Sequence, residues 1–336
     1  MNQKNQENDV FAKLHIYQSH NLVDNILFIS TINQSKSNMI KKMKEILKNN
    51  IISKALLMPI LNVKNSIKNR RQRLLDTFLS NIIEGNLIVK LKNISGKYAI
   101  DVRSHLLSRI LMTKDYEPEI VDLILKNIDR SKDAINIGAN IGLFTNFIAN
   151  EIDSDSKVLA IEPTPIAFKL LETNVLLNDN TAKVITYNGI ATDRQGAYQI
   201  NIIPGKEEYS SLGDMAHASI KNLTSIIQDV EGETIDNLVD RYNLNPGIMV
   251  IDVEGAEDLV IQGALNTIQK FHPVIISELD DVLLKKLNSN SNKVICLLES
   301  MGYEVKDVNS DKINFPFSGN IIAKFNESII INVIEI

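Results

Sequence analysis

Residues 133–151 read DAINIGANIGLFTNFIANE, and this stretch decides the fold. An apolar run ends at Gly138, a turn containing Asn140 and Gly142 follows, and an amphipathic helix is predicted to start immediately afterwards. Glycine lets the backbone come close to a ligand, and a helix N-terminus presents free N–H groups and the positive end of its dipole. A tight strand-to-helix connection also needs glycine for packing, so the turn alone leaves both roles open.

The next predicted strand, KVLAIEP, ends in an acid, Glu162, which lies 24 residues after Gly138. An acid at the end of the second strand of a nucleotide-binding unit accepts hydrogen bonds from both ribose hydroxyls, at a spacing of about 20 residues. The glycine pattern of a dinucleotide site is incomplete, because Asn140 stands between Gly138 and Gly142. A ligand with a ribose and no phosphates fits better, and S-adenosylmethionine is the common candidate.

Strand-like apolar runs alternate with helix-like amphipathic runs from residue 134 to the C-terminus. A hairpin with its turn at Asn93–Gly96 and a helix starting near Pro118 are predicted before them. The predicted strands are Ala134–Ile137, Lys157–Ile161, Lys183–Tyr187, Ile248–Val253, Val274–Ser277, Tyr303–Val308 and Asn320–Phe325. The predicted helices are Leu143–Ile152, Ile166–Leu177, Ile235–Tyr242, Glu257–Lys270 and Lys293–Met301. This order predicts an α/β fold, a doubly wound and mostly parallel sheet of seven strands covered by helices on both faces.

The first 85 residues differ in composition from the rest. They are rich in Asn, Lys and Ile and contain no glycine before Gly85, and the spacing of apolar residues in Met39–Leu47 predicts a helix. At roughly 150 residues per domain, a chain of 336 residues holds about two domains. We therefore expect a mainly helical, partly flexible extension at 1–85 and an α/β domain at 86–336. The extension suits a docking element for a protein partner, a homo-oligomerisation arm or a lid.

The composition restricts location and partners. The chain has 36 Lys and Arg against 41 Asp and Glu, a net charge of −5, which argues against a nucleic-acid partner. The basic segment KNSIKNRRQRLL at 64–75 favours a solvated helix face over a nucleic-acid anchor. The single cysteine, Cys296, excludes an intrachain disulfide and is predicted to be buried on the apolar side of a helix. Without a signal peptide or an apolar run of about 20 residues, a cytoplasmic protein with no transmembrane segment is expected.

Several segments together resemble the FkbM family of S-adenosylmethionine-dependent methyltransferases. They are GANIGLFT, IEPTPIAFKLLETNVLLN, the triplet Ser210-Ser211-Leu212, IDVEGAEDLVIQGA and PVIISE, in this order, preceded by Tyr116-Glu117-Pro118. The resemblance covers about residues 86–310, and IDVEGAE is its most specific run. It implies a class I methyltransferase sheet, which is Rossmann-like, and O-methylation of a hydroxyl on a small molecule or glycan. Two residues depart from the family pattern: Asn136 stands where an acid is usual, and Val250 where Lys is common.

The resemblance also assigns the cofactor-binding residues. Gly138, Asn140 and Gly142 would form the turn on the methionine side, with Asn136 contacting the methionine ammonium. Glu162 would hold the ribose, Asn188 and Ala191 would flank the adenine, and Asp252 would lie beside the sulfonium. None of these contacts needs a metal. Because Asn136 carries no charge and the family's Lys is absent, a catalytically weak or inactive cofactor-binding scaffold is the alternative to an active enzyme.

Three acids end predicted strands and are the candidate catalytic residues: Asp252, Glu254 and Glu278. Strand carboxyl ends in a doubly wound sheet face the ligand crevice, so these side chains are expected at one edge. A carboxylate there could remove the proton of an acceptor hydroxyl or hold a divalent ion, and the sequence leaves both open. Glu257 and Asp258 are expected in the first turn of the following helix, where acids are favoured by the dipole, and are assigned no chemistry.

The histidines give weaker signals. His272 precedes Pro273 and indicates a helix-to-strand connection rather than a catalytic group. His217, Ser210 and Ser211 lie in the segment Ala191–Pro246, which is too long for a plain connection between two strands. This segment is expected to pack over the active site and to contribute to the acceptor pocket.

Overall fold

The computed structural model describes residues 65–67, 69–71, 73, 85–91, 93–203, 212, 225–310 and 312–328. The chain divides into two units, Met1–Arg73 and Leu74–Ile336. The described residues of the first unit are helical. The helix predicted at Met39–Leu47 lies outside the described residues, and the division at residue 85 stays a prediction.

The second unit opens with a hairpin and two helices. Strands β1 (Asn86–Lys90) and β2 (Lys97–Asp101) pair antiparallel, which confirms the predicted hairpin. Helix α1 (His105–Thr113) and helix α2 (Pro118–Asn127) follow, and Pro118 occupies the first turn of α2, where a missing N–H costs nothing.

The central sheet has seven strands, six of which run in the same direction. The strands are β3 (Asp133–Ile137), β4 (Lys157–Ile161), β5 (Lys183–Tyr187), β9 (Pro246–Ile251), β10 (Val274–Asp280), β11 (Tyr303–Asp307) and β12 (Ser318–Phe325). Their order across the sheet is β11-β12-β10-β9-β3-β4-β5. β12 is antiparallel to both of its neighbours, while the other pairs from β10 to β5 are parallel. The predicted doubly wound, mostly parallel sheet is therefore confirmed.

Helices cover both faces of this sheet because its central strands are apolar on both sides. In β3, Ala134 packs with one hydrophobic cluster, whereas Ile135 and Ile137 pack with another. The first cluster includes residues of α1, α2 and α3 (Leu143–Glu151), and the second includes residues of the helices that follow residue 234. The remaining helices are α4 (Pro165–Leu176), α5 (Ile235–Tyr242), α6 (Glu257–Gln262), α7 (Leu265–Phe271), α8 (Asp281–Leu284) and α9 (Ser291–Ser300).

The long connection between β5 and β9 forms a small second sheet. Strands β6 (Ile190–Ala191), β7 (Gly196–Ile202) and β8 (Ile226–Glu233) pair in the order β6-β8-β7. Ser210, Ser211 and His217, which the sequence places over the acceptor pocket, lie outside the described residues. Their predicted role therefore stays a prediction.

Two predictions about local structure were wrong. The helix predicted at Glu257–Lys270 is two helices, α6 and α7, separated at Gly263, where an added Cβ would lie 2.0 Å from the Thr192 carbonyl oxygen. Cys296 is exposed rather than buried, because α9 turns Val294, Ile295 and Leu298 toward the core instead. His272 ends α7 in a left-handed conformation just before β10, as a connecting residue should. None of the described helices has both the length and the apolar character needed to cross a membrane.

Candidate functional site

The glycine turn after β3 lies at the carboxyl edge of the sheet in an unusual backbone conformation. Gly138, Asn140 and Gly142 have φ values of 78°, 48° and 84°, in the left-handed region that favours glycine. The N–H groups of Gly138 and Ala139 both donate to the Ile161 carbonyl oxygen, at 3.0 and 2.9 Å. A Cβ added to Gly138 would lie 1.8 Å from the carbonyl oxygen of Asp252. The turn is therefore in direct contact with the chain that follows β9.

Glu162, at the end of β4, is 5% exposed, and its carboxylate connects the glycine turn to helix α4. One oxygen accepts the Asn140 N–H at 2.9 Å, and the other accepts the Thr164 N–H at 2.8 Å and the Thr164 hydroxyl at 2.6 Å. Asn188 lies alongside and donates its side-chain amide to the carbonyl oxygens of Glu162 and Pro163, at 2.9 and 3.2 Å. The predicted ribose residue is thus next to the turn predicted for the methionine side.

Asn136 and Val250, the two departures from the family pattern, are neighbours across the sheet. They are paired in register between the parallel strands β3 and β9, and they are 3% and 4% exposed. The Asn136 side-chain amide donates to the Thr145 hydroxyl of α3 at 2.9 Å. The acid and the lysine usual at these positions would therefore be adjacent in the sheet, and this chain replaces both with neutral side chains.

Ala191 lies in β6, paired in parallel with Glu233 of β8. Its side chain is 3% exposed and packs in the hydrophobic core with Ile137 and Leu159. Its predicted contact with the adenine stays a prediction.

Asp252 directly follows β9, and its N–H donates to the Ile137 carbonyl oxygen at 3.0 Å. Removal of its carboxyl from water raises the pKa of Asp252 well above the usual value, and the negative charges of neighbouring carboxylates raise it further. In order of effect, these neighbours are Glu278, Glu254, Glu117 and Glu257. The structure thus brings together Asp252, Glu254 and Glu278, the three acids that the sequence predicts at this edge.

Glu257, in the first turn of α6, is an acid whose burial the sequence did not reveal. It is 2% exposed, and one carboxylate oxygen accepts the Gly255 N–H at 3.1 Å. The other oxygen, Oε2, is buried and has no hydrogen-bond partner among the described residues. Burial raises the pKa of Glu257 to about 7, although backbone N–H groups that favour the carboxylate partly offset this. The nearby charge of Glu278 adds to the increase.

Tyr116, Glu117 and Arg109 form the side of the site contributed by α1 and the turn before α2. Arg109 donates to Glu117 at 3.1 Å, and its guanidinium lies over the Tyr116 ring, 5.1 Å from the centroid. Burial, then the charges of Glu117 and Asp252, raise the pKa of Tyr116 well above the usual value. Burial also raises the pKa of Glu117, against the effect of Arg109. The sequence presents Tyr116 and Glu117 as part of a motif but assigns them no role.

Glu278 extends from β10 at the rim of the same edge. Partial desolvation raises the pKa of its carboxyl, Arg109 lowers it and Asp280 raises it. Among the described residues, no group of three or more His, Cys, Asp or Glu side chains is arranged to hold a metal ion. The carboxyl edge of the sheet therefore combines the glycine turn, the Glu162 carboxylate beside it, the group of acids around Asp252 and the Arg109 guanidinium.

The sheet order is that of a class I methyltransferase. The family described as the methyltransferase FkbM domain matches residues 136–305, which is half of the chain. The chain belongs to this family of S-adenosylmethionine-dependent methyltransferases. No curated protein matches the chain.

Three solved structures are similar to parts of this chain. The chain is 12% identical to methyltransferase FkbM from Methylobacillus flagellatus KT, with a TM-score of 0.39, covering 65% of this chain and 52% of that one. It therefore spans about half the length of that protein. Precorrin-6y C5,15-methyltransferase from Geobacter metallireducens GS-15 is 15% identical, with a TM-score of 0.35, and the match covers 63% of this chain and 89% of that one. Pyrococcus abyssi tRNA (uracil-54, C5)-methyltransferase, in complex with S-adenosyl-L-homocysteine, is 12% identical, with a TM-score of 0.35, and the match covers 71% of this chain and 44% of that one.

Proposed function

We propose that this chain is an S-adenosylmethionine-dependent O-methyltransferase that acts on a hydroxyl of a small molecule or glycan in the cytoplasm. The single observation that carries the proposal is the contact between the Gly138 turn and the backbone of Asp252, the residue whose carboxyl group would act as the base. The proposal includes a methyltransferase domain at 86–336. The mainly helical extension at 1–85 would then serve to dock a partner or a second copy of the chain.

The residues present fit this cofactor. The start of α3 has no side-chain cap, so its N–H groups can receive a carboxylate. Gly138, Asn140 and Gly142, with Asn136, would hold the methionine portion. Glu162 would hold the ribose, and Asn188 and Ala191 would flank the adenine. When bound, S-adenosylmethionine supplies a methyl group already activated by its sulfonium.

The acids would then act on the acceptor. A hydroxyl is a poor nucleophile until its proton is removed, and a positioned base contributes typically 10²–10⁴-fold to the rate. The Asp252 carboxylate would accept that proton, while Glu254 and Glu278 accept hydrogen bonds that orient the acceptor. Because the pKa of Asp252 is raised, its base form becomes more populated as the pH increases, so the rate should rise with pH on the acid side.

The experiment combines calorimetry and methyl transfer. Wild-type protein and the Asp252→Asn variant are titrated with S-adenosylmethionine, then incubated with labelled cofactor and cell extract. We expect cofactor binding by both proteins and at least about a 100-fold slower methylation by the variant. The matched control is Asp240→Asn, an exposed acid of α5, which should methylate as wild type does. Equal rates for Asp252→Asn and wild type would rule out Asp252 as the base.

The second candidate, a catalytically weak or inactive scaffold with the same fold, is favoured by the neutral pair Asn136 and Val250. It predicts that the wild-type protein binds the cofactor but labels no component of the extract. The same two measurements therefore separate the two candidates, and a protein that binds no cofactor at millimolar concentration would contradict both.

A further inference from the structure

Two asparagines pair with the backbone of strand β2 as a neighbouring strand would: Asn174, in the last turn of α4, and Asn178, just after the end of that helix. Each accepts a backbone N–H with its Oδ1 atom and donates from its Nδ2 atom to the carbonyl oxygen of the same residue. Asn174 pairs with Ala99 in this way, at 2.7 and 3.1 Å, and Asn178 pairs with Lys97, at 2.8 and 2.9 Å. Residues two apart in a strand present these groups at one edge, so both asparagines bind the same edge of β2.

Asn174 differs from Asn178 because its side chain also reaches the glycine turn. Its Nδ2 atom donates to the Ile141 carbonyl oxygen at 2.8 Å, so both N–H groups and the oxygen of this amide are used. Nδ2 of Asn178 donates instead to the Asn174 carbonyl oxygen, at 2.6 Å. Asn174 is 0% exposed, whereas Asn178 is half-buried. One buried amide therefore connects the N-terminal hairpin to the turn assigned to the cofactor.

The Ile141 carbonyl belongs to the peptide unit that leads into α3, and both ends of this unit are held. Its oxygen accepts from Asn174, and its N–H, on Gly142, donates to the Ala139 carbonyl oxygen at 2.8 Å. Gly142 is the N-cap residue of α3, so the orientation of this unit determines where the first N–H groups of the helix point. Release of the Ile141 carbonyl would let the unit rotate and would move the N–H groups proposed to receive the methionine carboxylate.

The hairpin contacts the start of α3 at a second place, through Tyr116. The side chain of Asn93, in the hairpin connection, accepts the Tyr116 N–H at 3.0 Å and donates to the Tyr116 carbonyl oxygen at 2.5 Å. The Tyr116 ring packs against Phe144, in the first turn of α3, with the ring centroids 5.0 Å apart. The hairpin is therefore joined to the beginning of α3 by a second set of contacts, which does not pass through Asn174.

We propose that Asn174 is a positioning residue for the cofactor: it holds the Ile141 carbonyl so that the glycine turn keeps the form that receives the methionine portion of S-adenosylmethionine. The inference rests on the proposed function, which assigns the turn to that portion. Because coupling between two sites is reciprocal, bound cofactor stabilises the hydrogen bonds between Asn174 and Ala99 in return. The nucleoside portion is assigned to Glu162 and the residues after β5, and its binding does not depend on Asn174.

The test compares Asn174→Ala with Asn178→Ala, because each variant loses its pair of bonds to β2 and the first also frees the Ile141 carbonyl. Wild type and both variants are titrated calorimetrically, at a temperature where circular dichroism shows them folded. The ligands are S-adenosylhomocysteine and 5′-methylthioadenosine, which has the nucleoside but no amino-acid portion. Asn174→Ala should bind S-adenosylhomocysteine about tenfold more weakly than wild type, equivalent to about 1.4 kcal/mol, the size of one buried hydrogen bond.

The second ligand separates positioning from a general loosening of the fold. Asn174→Ala should bind 5′-methylthioadenosine as wild type does, and Asn178→Ala should bind both compounds as wild type does. Equal weakening of both compounds by Asn174→Ala would show a general structural role and overturn the proposal, and so would unchanged binding of both.

A further measurement uses the wild-type protein and applies even if Asn174→Ala does not fold. Amide hydrogen exchange at Ala99 and Lys97 is followed by NMR with and without saturating S-adenosylhomocysteine. Opening at Ala99 releases Asn174 and disturbs the turn, whereas opening at Lys97 releases Asn178. The ligand should therefore slow exchange at Ala99 about tenfold more than at Lys97, the same factor as in the binding experiment. Equal slowing at both amides would contradict the coupling.

The outcomes distinguish this inference from the function on which it rests. If the wild type binds S-adenosylhomocysteine and Asn174→Ala binds it equally well, the positioning role is wrong while cofactor binding stands. If the wild type binds neither S-adenosylmethionine nor S-adenosylhomocysteine, both proposals fail.

Discussion

Replacing Gly138 with alanine tests how closely the glycine turn and the catalytic edge are joined. The new Cβ would lie 1.8 Å from the Asp252 carbonyl oxygen, against the 3.4 Å or more of an ordinary contact, and neither this backbone oxygen nor a Cβ fixed to the Gly138 backbone can move alone. The φ of 78° adds about 1–2 kcal/mol of left-handed strain, and crowding of this kind typically adds about 1–3 kcal/mol. We therefore expect the free energy of unfolding to fall by about 2–5 kcal/mol.

The assay is thermal unfolding followed by calorimetry, with two matched glycine variants. At about 2–4 °C per kcal/mol for a domain of this size, Gly138→Ala should lower Tm by about 4–20 °C. Gly142→Ala should cost less, about 1–2 kcal/mol, because the tight contacts of its Cβ would be with side-chain atoms, Leu171 Cδ1 at 2.6 Å and Asn146 Nδ2 at 3.3 Å, rather than with backbone. Gly196→Ala is the control: its Cβ would find an ordinary contact at 3.5 Å from Tyr198, and we expect no loss of stability. A Gly138→Ala protein as stable as Gly196→Ala would refute the close approach of the turn to Asp252.

Three further substitutions address charge inside the fold. Asn136→Asp and Val250→Lys should each destabilise the protein by about 3–5 kcal/mol because each buries an unpaired charge, whereas the double variant should recover most of that loss. Denaturant unfolding of the wild type, the two single variants and the double variant measures the coupling between the two positions. Additive losses of stability would contradict adjacency of the two side chains. For Glu257, the pKa is raised from 4.5 to about 7 on folding, so its protonated form favours the native state below about pH 4.5 and this advantage is lost as the pH rises through 7. Glu257→Gln should therefore remove part of the stability loss between about pH 4.5 and pH 7, and an unchanged pH profile would show that Glu257 does not titrate there.

The sequence predicted the architecture well because periodicity carries that information. The runs around Ala134, Leu159 and Met249 are apolar on both sides, as strands buried between two helical layers must be, and their order with the helices permits few topologies. The glycine turn and the acids at strand ends were also found, since parallel strands bring their carboxyl ends to one edge. These features depend on residues close together in the sequence.

The features that sequence reasoning missed depend on packing between distant segments. Glu257 was expected in the first turn of its helix and lies there, but its burial follows from how α6 packs, which local pattern does not encode. The sequence around Gly263 is compatible with an uninterrupted helix, and the contact of Gly263 with the Thr192 backbone is visible only in the structure. For Cys296, the apolar neighbours suggested burial, whereas the rotation of α9 against the sheet exposed it. The pairing of Asn136 with Val250, 114 residues later, is visible only in the register of β3 and β9.

The raised pKa of Asp252, which burial and the neighbouring carboxylates cause, determines when the proposed base can act. A base must be ionised to accept a proton, yet Glu278, Glu254, Glu117 and Glu257 all favour its protonated form in the isolated protein. A cation bound beside these acids would lower the pKa of Asp252 and restore its carboxylate at the moment an acceptor can react. The carboxyl group that removes the proton would thus be competent mainly when the positively charged cofactor is present. Neutralising Glu278 should weaken this dependence, because Asp252 would then ionise at lower pH with the site empty.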